Sequence, residues 1–322
     1  MKVLIVTNMY PNPRQPAFGT FVKDQAEDLR KAGIEVDVLF FNGRQSKLNY
    51  PLGVLFYWRQ LLKKRYDIIH AHYALSGVVA RLQFRHPVVV TYHGVEVLDT
   101  HQAPWLTTLS RKAAPLFDRV IVVAQAEKDI LNRPNVTVIP CAIDLDAFEP
   151  LPLPEARTQL GLPMDKPLVL WAGEHWRHQK RFELVEEAMA LVQQKCPEAE
   201  LVLVSNQPHE VIPVYMSACD ALLLTSRYEG SPMVVKEAMA CNLPVVSTRV
   251  GDVPEVIGGV EGCFLVEPDA EEVADRLLWV LNWRQRTKGR EHIQHLTSGP
   301  ITRRVIEVYN ELVPPERRFA LA

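Results

Sequence analysis

Two series of strand and helix patterns, separated by a proline-rich segment, constrain the fold of this 322-residue chain more than any other feature. In both series short β-branched runs alternate with helical periodicity, which is typical of parallel strands joined by crossover helices. Three prolines within residues 149–154 indicate a linker. We therefore expect an α/β fold with two doubly wound, Rossmann-like parallel-sheet domains, 1–149 and 150–322, facing a central cleft.

Each half of the chain contains its own series of predicted strands. Strands are expected at 3–7, 36–41, 67–72, 88–93, 120–123 and 136–139, and then at 168–172, 201–204, 221–224, 245–248 and 263–266. Apolar residues at helical spacing predict a helix at 182–195 that lies on its sheet. A last amphipathic helix is expected at about 302–312.

Composition narrows the class of protein. The chain is 48% hydrophobic and 23% charged, which is typical of a globular protein. Its net charge of −2 provides no overall electrostatic attraction to nucleic acid. Its five scattered cysteines indicate reduced thiols. The apolar run at 3–6 is too short for a signal-peptide core, and no run has the length that spans a bilayer. We expect a cytoplasmic protein, with peripheral contact at the inner face of the membrane left open.

The segment 229–237 is the most informative local motif. It follows the apolar run 221–224, which predicts a buried strand. Gly230 permits a tight turn, Ser231 is a favoured N-cap residue, and Pro232 suits the first helical position of a helix continuing to Cys241. Backbone amides of 231–234 at such a helix N-terminus form an anion site suited to phosphate.

Glu229 and Glu237 stand at the two ends of this segment. A carboxylate accepts hydrogen bonds from vicinal hydroxyls, so acids on both sides of a diphosphate site suit a sugar joined through diphosphate to a ribose. The alternative interpretation is a plain helix start, with Glu229 favoured by the dipole and Glu237 on a solvated face.

Residues 218–256 resemble the donor-site signature of the group 1 glycosyltransferases, the retaining GT-B enzymes of family four, in a variant with a short C-terminal domain. The signature has two glutamates separated by seven residues, a small-residue helix, a Pro-Val-Val strand and a Val-Gly-x-x-Pro-Glu turn; here these are Glu229, Glu237, 238–240, 244–246 and 250–255. The resemblance implies metal-independent transfer of a sugar, with retention, from a nucleoside diphosphate sugar to an acceptor hydroxyl. The implied setting is polysaccharide, glycolipid or glycoconjugate synthesis, without a cofactor.

The same resemblance implies roles in the second domain. Glu229 would bind the donor sugar and Glu237 the ribose, while the turn and helix start would hold the diphosphate through Gly230, Ser231, Pro232, Met233 and Val234. A leaving diphosphate also needs cations. Lys180 fits the family's lysine, but Glu174 stands where the arginine often lies, so Arg177 or Arg181 must replace it; a merely solvated charged loop is the alternative.

In the first domain, His93 and Gly94 resemble the family's His-Gly turn, whose histidine contacts the donor sugar near its phosphate. Gly19 begins a helix after the long loop 8–18, which contains Pro11, Pro13 and Pro16. This loop resembles the family's glycine loop, which contributes to diphosphate and acceptor binding. A structural role for His93 is the alternative.

Two patterns in the first half of the chain suggest a metal site, but in each case another interpretation is favoured. His70 and His72 share a strand face near His93, but a fourth ligand is missing at useful spacing. Asp144 and Asp146 form an Asp-x-Asp motif, whose context favours turn chemistry. We therefore expect no metal.

The segment 50–66 mixes aromatic, apolar and basic residues. It either packs on its sheet, which is the favoured interpretation, or docks on an anionic membrane to receive a lipid-linked acceptor. A glycan or a small hydroxyl compound is equally open as the acceptor.

The second domain departs from the family in length. Relatives carry a further βα unit after the position of 204–208, so the second sheet is expected to be one strand smaller, with the nucleotide unassigned. Three alternative functions stay open for a chain of this type. They are a nucleotide-sugar epimerase, a phosphorylase and a non-catalytic sugar-binding protein.

Overall fold

The structure, a computed structural model, describes residues 1–13, 18–43, 45–46, 48–98 and 104–320, which form two compact units. The first unit comprises Met1–Ala142 with Ser298–Ala322, and the second unit comprises Ile143–Thr297. The boundary therefore lies between Ala142 and Ile143 rather than at residues 149–150, and the last helix belongs to the first unit.

The first unit is built on six described parallel strands in the order β2-β1-β3-β4-β5-β6. The strands are β1 Lys2–Thr7, β2 Glu35–Phe40, β3 Ile68–His72, β4 Val88–Tyr92, β5 Arg119–Val122 and β6 Val136–Val138. The helices that precede the second unit are α1 Thr20–Lys31, α2 Asn49–Lys63, α3 Ala74–Ala80, α4 Val95–Leu98, α5 Pro104–Ala113 and α6 Gln125–Leu131.

The second unit has five described parallel strands in the order β11-β10-β9-β7-β8. The strands are β7 Leu168–Ala172, β8 Glu200–Val204, β9 Ala221–Leu224, β10 Val245–Thr248 and β11 Phe264–Val266. Its helices are α7 Leu153–Leu160, α8 Phe182–Lys195, α9 Ile212–Ala218, α10 Met233–Ala240, α11 Val253–Ile257, α12 Ala270–Trp283 and α13 Gly289–His292.

The central strands are buried and mostly apolar because helices cover both faces of each sheet. Every residue of β3, β4, β9 and β10 is buried. Helix α8 has the predicted bounds and packs on its sheet through a buried stripe that includes Val185, Ala188, Met189 and Val192. All predicted strands are present, with ends within one residue of the expected ones.

The last helix, α14, spans Ser298–Leu312 and begins four residues before the predicted start. Pro300 lies in its first turn, where a proline is tolerated because the N–H that it lacks would have no partner within the helix. The helix packs against α1, and Tyr309 is fully buried, with its hydroxyl 2.6 Å from His70 Nδ1. This hydrogen bond anchors the C-terminal segment to strand β3.

Each sheet reverses its strand order at one place. The reversal lies between β1 and β3 in the first unit and between β7 and β9 in the second. Ligands of doubly wound sheets bind beyond the carboxyl ends of the strands at such a switch point. In the second unit, the loops after β7 and β9 are the ones that carry Lys180 and Glu229.

No helix within the described ranges combines the length and the apolar character needed to cross a bilayer.

Candidate active site

Lys180 and Glu229 meet beyond the carboxyl ends of β7 and β9. Lys180 Nζ donates a hydrogen bond to Glu229 Oε1 over 2.7 Å, and Ser226 Oγ donates to the same oxygen over 2.7 Å. The two charged side chains are 14% and 13% exposed. An ammonium has three N–H donors and a carboxylate has two oxygens, so each group keeps capacity to bind a ligand.

Hydrogen bonds to backbone carbonyl groups fix the two loops that carry this pair. Thr225 Oγ1 donates to the carbonyl oxygens of Lys180 and Arg181 over 2.9 and 3.1 Å. The Arg227 backbone N–H donates to the Gln179 carbonyl over 2.8 Å. These bonds join the loop that carries Lys180 to the loop that leads to Glu229, so the pair is positioned by more than its own charges.

The turn at Gly230 is held by the loop after β10. The Asp252 backbone N–H donates to the Gly230 carbonyl over 3.0 Å. Gly251 has φ +54°, and a Cβ there would overlap the same carbonyl oxygen. Only glycine permits this approach of two backbones, and it places the start of α10 next to the loop after β10.

The prediction that Ser231 caps α10 is wrong. Pro232 occupies the N-cap position, and no side chain caps the helix. Ser231 Oγ instead donates to Asp252 Oδ2 over 2.6 Å and accepts a hydrogen bond from Lys236 Nζ. Because Asp252 offers a carboxylate acceptor and Lys236 a charged donor, these two bonds replace the cap.

Lys236, which no predicted site included, is completely buried. Its ammonium lies 2.9 Å from Asp252 Oδ2, and the Asp252 side chain is 8% exposed. A buried lysine requires a charged partner. We define Ser231, Lys236 and Asp252 as the Lys236 cluster, which ties the first turn of α10 to the loop after β10.

The start of α10 presents fewer donors than the motif predicts. Pro232 has no N–H, so it cannot donate to a phosphate. The Val235 N–H is used by the Pro232 carbonyl, over 3.1 Å. Met233 and Val234 are the first two residues of α10, the positions whose N–H groups lie at a helix N-terminus. They are the backbone donors of this turn that suit an anion.

Glu237 does not lie on a solvated face, so that alternative interpretation is wrong. The residue is 8% exposed, and its Oε1 lies 3.6 Å from His209 Nε2. A mostly buried carboxylate with one long contact has acceptor capacity left for a hydroxyl pair.

Arg177 and Arg181, the two candidate arginines, differ in their surroundings. Arg177 donates to Gln179 Oε1 over 3.0 Å and lies 3.6 Å from Glu174. Arg181 follows Lys180 directly and has φ +48°. Burial and the neighbouring Arg227 guanidinium lower the pKa of Arg181. An anion near Arg181 would relieve this repulsion.

In the first unit, three histidines form a stacked column. His72 Nδ1 lies 3.1 Å from His93 Nε2, and His70 contacts Tyr309 and Thr91 through its two ring nitrogens. Burial holds the pKa of His72 at about 3, and burial together with their histidine neighbours holds the pKa values of His70 and His93 well below the usual range.

Both nitrogens of His70 are engaged, which leaves it no free lone pair for a metal. Across the part of the chain that the structure describes, no three or more His, Cys, Asp or Glu side chains converge as metal ligands do. Asp144 Oδ1 accepts hydrogen bonds from the backbone N–H groups of Asp146 and Ala147, which confirms the turn interpretation.

Two buried carboxyl groups, Glu96 and Glu127, lie near the His93–Gly94 turn. Burial raises the pKa of Glu96 to about 7. Burial and the Glu96 carboxyl raise the pKa of Glu127 well above its usual value, although Glu127 Oε1 accepts from the Ala124 N–H over 3.1 Å. Glu96 is therefore mostly uncharged under mildly acid conditions.

Gly19 precedes α1 as predicted, with φ +74°. A Cβ at Gly19 would lie 2.7 Å from the backbone carbon of Met9, so glycine is needed for the chain to pass itself at this point. This packing requirement explains Gly19 without a ligand. Residues 14–17 of the loop, with Pro16, lie outside the described residues.

Two family models match the chain. Residues 18–147 match the model described as Glycosyltransferase Family 4, and residues 207–282 match Glycosyl transferases group 1, together about two thirds of the chain.

Similar curated sequences cover most of the chain. The putative teichuronic acid biosynthesis glycosyltransferase TuaC of Bacillus subtilis is 27% identical, over 86% of this chain and 88% of the relative. A D-inositol 3-phosphate glycosyltransferase of Saccharomonospora viridis is 28% identical, over 80% and 72%.

Solved structures share the fold. Sucrose-phosphate synthase of Thermosynechococcus elongatus aligns with a TM-score of 0.80 and 24% identity, over 97% of this chain and 98% of the solved chain. Anabaena HepE in complex with UDP-glucose aligns with a TM-score of 0.73 and 19% identity, over 97% and 100%.

Proposed function

This chain belongs to the group 1 glycosyltransferases of GT-B fold, and we propose that it moves a sugar from a nucleoside diphosphate sugar to an acceptor hydroxyl, with retention and without a metal ion. The observation that carries the proposal is the Lys180–Glu229 pair at the switch point of the second sheet. There a cation for phosphate and an acceptor for sugar hydroxyls lie side by side.

In this proposal the second unit binds the donor. The two carboxylate oxygens of Glu229 accept from the sugar hydroxyls, while Glu237 accepts from the ribose diol. The diphosphate lies against Lys180, Arg181 and the first N–H groups of α10. We choose Arg181 over Arg177 because Arg177 already contacts Gln179 and Glu174.

The chemical step breaks the bond between the anomeric carbon and the phosphate oxygen. The electron pair leaves with the diphosphate, whose developing charge Lys180 and Arg181 stabilise. The acceptor oxygen bonds to the anomeric carbon on the same face, and its proton passes to the departing phosphate oxygen. No covalent bond to the protein forms. The predicted contact of His93 with the donor sugar stays a prediction.

The nucleotide and the acceptor are not assigned. The complexes of HepE with UDP and with UDP-glucose support a nucleoside diphosphate as the ligand class, because that protein has the same fold. We place the enzyme in the cytoplasm, which the free, buried thiols of Cys219 and Cys241 support.

A two-part experiment tests the function. Thermal shift of the full chain against uridine, guanosine, adenosine and thymidine diphosphate sugars should single out one nucleotide in the presence of EDTA. NMR spectroscopy of the product formed from the selected donor should then show the anomeric configuration of that donor. Stabilisation that appears only with manganese would contradict metal independence, and a product of inverted configuration would contradict the mechanism.

A further inference from the structure

Helix α2 is apolar on both of its faces. A helix with this pattern is normally buried all round. One face of α2 does pack on the first sheet, through Gly53, Val54, Tyr57 and Leu61. Tyr57 is fully buried, and its hydroxyl donates to the Ala80 carbonyl over 2.7 Å. Packing on the sheet therefore accounts for only half of the helix.

The opposite face of α2 lies open. We define the α2 outer face as Leu52, Leu55, Phe56, Arg59, Leu62 and Lys63. Leu55 is 63% exposed and Leu62 is 86% exposed, values far above those of an ordinary apolar side chain. The residues of the α2 outer face follow one another at intervals of three or four positions, which places them along one side of the helix.

A second exposed apolar segment of the first unit follows α3. The hydrogen bond from Tyr57 to Ala80 places the middle of α2 beside the end of α3. The segment after α3 exposes Leu82 and Phe84, the latter by 86%, and the Arg81 guanidinium stacks 5.4 Å from the Phe84 ring centroid. Exposed apolar patches of this kind mark interaction sites.

The charges of this surface have one sign. Residues 48–66 contain no Asp or Glu, whereas they contain Arg59, Lys63, Lys64 and Arg65. Lys64 pairs with Asp37 over 2.9 Å. No ion pair of Arg59, Lys63 or Arg65 is found among the described residues. Trp58, 42% exposed, borders the outer face, and tryptophan suits the boundary between lipid and water.

We propose that the α2 outer face binds the surface of an anionic phospholipid bilayer, with the leucines and Phe56 among the acyl chains and the cations at the lipid phosphates. Apolar groups insert at an interface, and lysine and arginine bind anionic headgroups. A second copy of this chain fits less well, because two such faces would bring Arg59 and Lys63 against their like-charged equivalents.

Vesicle flotation tests the proposal with the full chain. The wild type should float with phosphatidylcholine vesicles that contain phosphatidylglycerol, and should float far less with phosphatidylcholine alone. High salt should weaken the binding to anionic vesicles, since it screens exposed charges. Failure of the wild type to float with anionic vesicles would overturn the proposal.

A matched pair of double variants distinguishes binding through the α2 outer face from non-specific hydrophobic binding. Leu55→Ser with Leu62→Ser should lower binding by about tenfold or more, because each loses an inserted side chain. Met164→Ser with Leu203→Ser changes two side chains of the second unit that are 52% and 53% exposed and should leave binding unchanged. Equal loss in both double variants would overturn the assignment to α2.

Two further measurements remove the remaining ambiguity. Circular dichroism and thermal melting should be alike for the two double variants, which excludes unfolding as the cause of lost flotation. Light scattering should give a monomer for the wild type without vesicles. A wild-type dimer that Leu55→Ser with Leu62→Ser dissociates would assign the surface to a second copy and overturn the bilayer.

Discussion

The ammonium of Lys180 lies 2.7 Å from the carboxylate of Glu229, although the two residues are 49 positions apart in the sequence. Their sequence motifs predict separate tasks, with Lys180 at the diphosphate and Glu229 at the sugar. Their contact means that each also orients the other, so the loss of one should impair both tasks.

Lys180→Gln should weaken binding of the nucleoside diphosphate by about 1.5–3 kcal/mol, since a charge-assisted hydrogen bond is lost and Glu229 is left partly buried without its cation. Calorimetry on the full chain measures this. Lys166→Gln is the matched control, because Lys166 pairs with Glu200 while both side chains are over 40% exposed. Equal losses in the two variants would contradict the role of Lys180.

Arg181→Gln and Arg177→Gln should differ in their effect on kcat/KM. We expect Arg181→Gln to lower kcat/KM by about tenfold to a hundredfold, as expected for a cation that stabilises developing charge. Arg177→Gln should change it by much less, because its guanidinium is engaged by Gln179 and Glu174. Steady-state kinetics with the selected donor decides between them, and the reverse order would make Arg177 the diphosphate ligand.

In the Lys236 cluster, the contributions of Lys236 and Asp252 to the free energy of unfolding should be strongly coupled. Lys236→Met removes the ammonium that pairs with the buried Asp252 carboxylate, and Asp252→Asn removes the carboxylate that pairs with the buried Lys236 ammonium. Each should destabilise the fold by about 3–5 kcal/mol. The double variant should cost about 1–3 kcal/mol less than the two single costs combined. Chemical unfolding of the four proteins measures this, and additive costs would show that the two charges do not interact.

Glu96 should make stability depend on pH. Its pKa is about 7 in the folded protein, above the ordinary value of 4.5, so the folded state holds the proton more tightly. This contribution is present below about pH 4.5 and is lost as the pH rises through 7. Glu96→Gln should therefore gain stability relative to wild type by about 2–3 kcal/mol on going from pH 5 to pH 8.

Thermal melting of wild type and Glu96→Gln at both pH values provides the measurement. Glu307→Gln, which changes an exposed carboxylate of α14, is the control and should show no such difference. If Glu96→Gln differs from wild type by the same amount at pH 5 and pH 8, Glu96 titrates normally.

The strands were predictable because buried parallel strands are short runs rich in apolar and β-branched residues, which can be located without tertiary information. The unit boundary was not. The proline-rich segment has the composition of a linker, yet the preceding residues are fixed by Arg290, which donates to the carbonyls of Phe148 and Leu145. That contact joins positions more than 140 residues apart, and local composition carries no sign of it.

The candidate site could be located only in part from the sequence. The glutamates and Lys180 stand out by sequence motif, but the use of Ser231 depends on Asp252, which the loop after β10 brings to it. A lone lysine in the apolar helix 233–240 was the available signal for the Lys236 cluster. A lysine in such a helix predicts a buried partner, although the sequence does not say which.

Calorimetric titration of nucleoside diphosphate into the full chain in EDTA, with wild type and Glu237→Ala, tests the donor site most directly. We expect the wild type to bind without metal and Glu237→Ala to lose about 1–3 kcal/mol with an unchanged melting profile, because the ribose hydroxyls lose their acceptor. Unchanged affinity in the folded variant would remove Glu237 from the site. Binding that EDTA abolishes and manganese restores would contradict a metal-independent donor site.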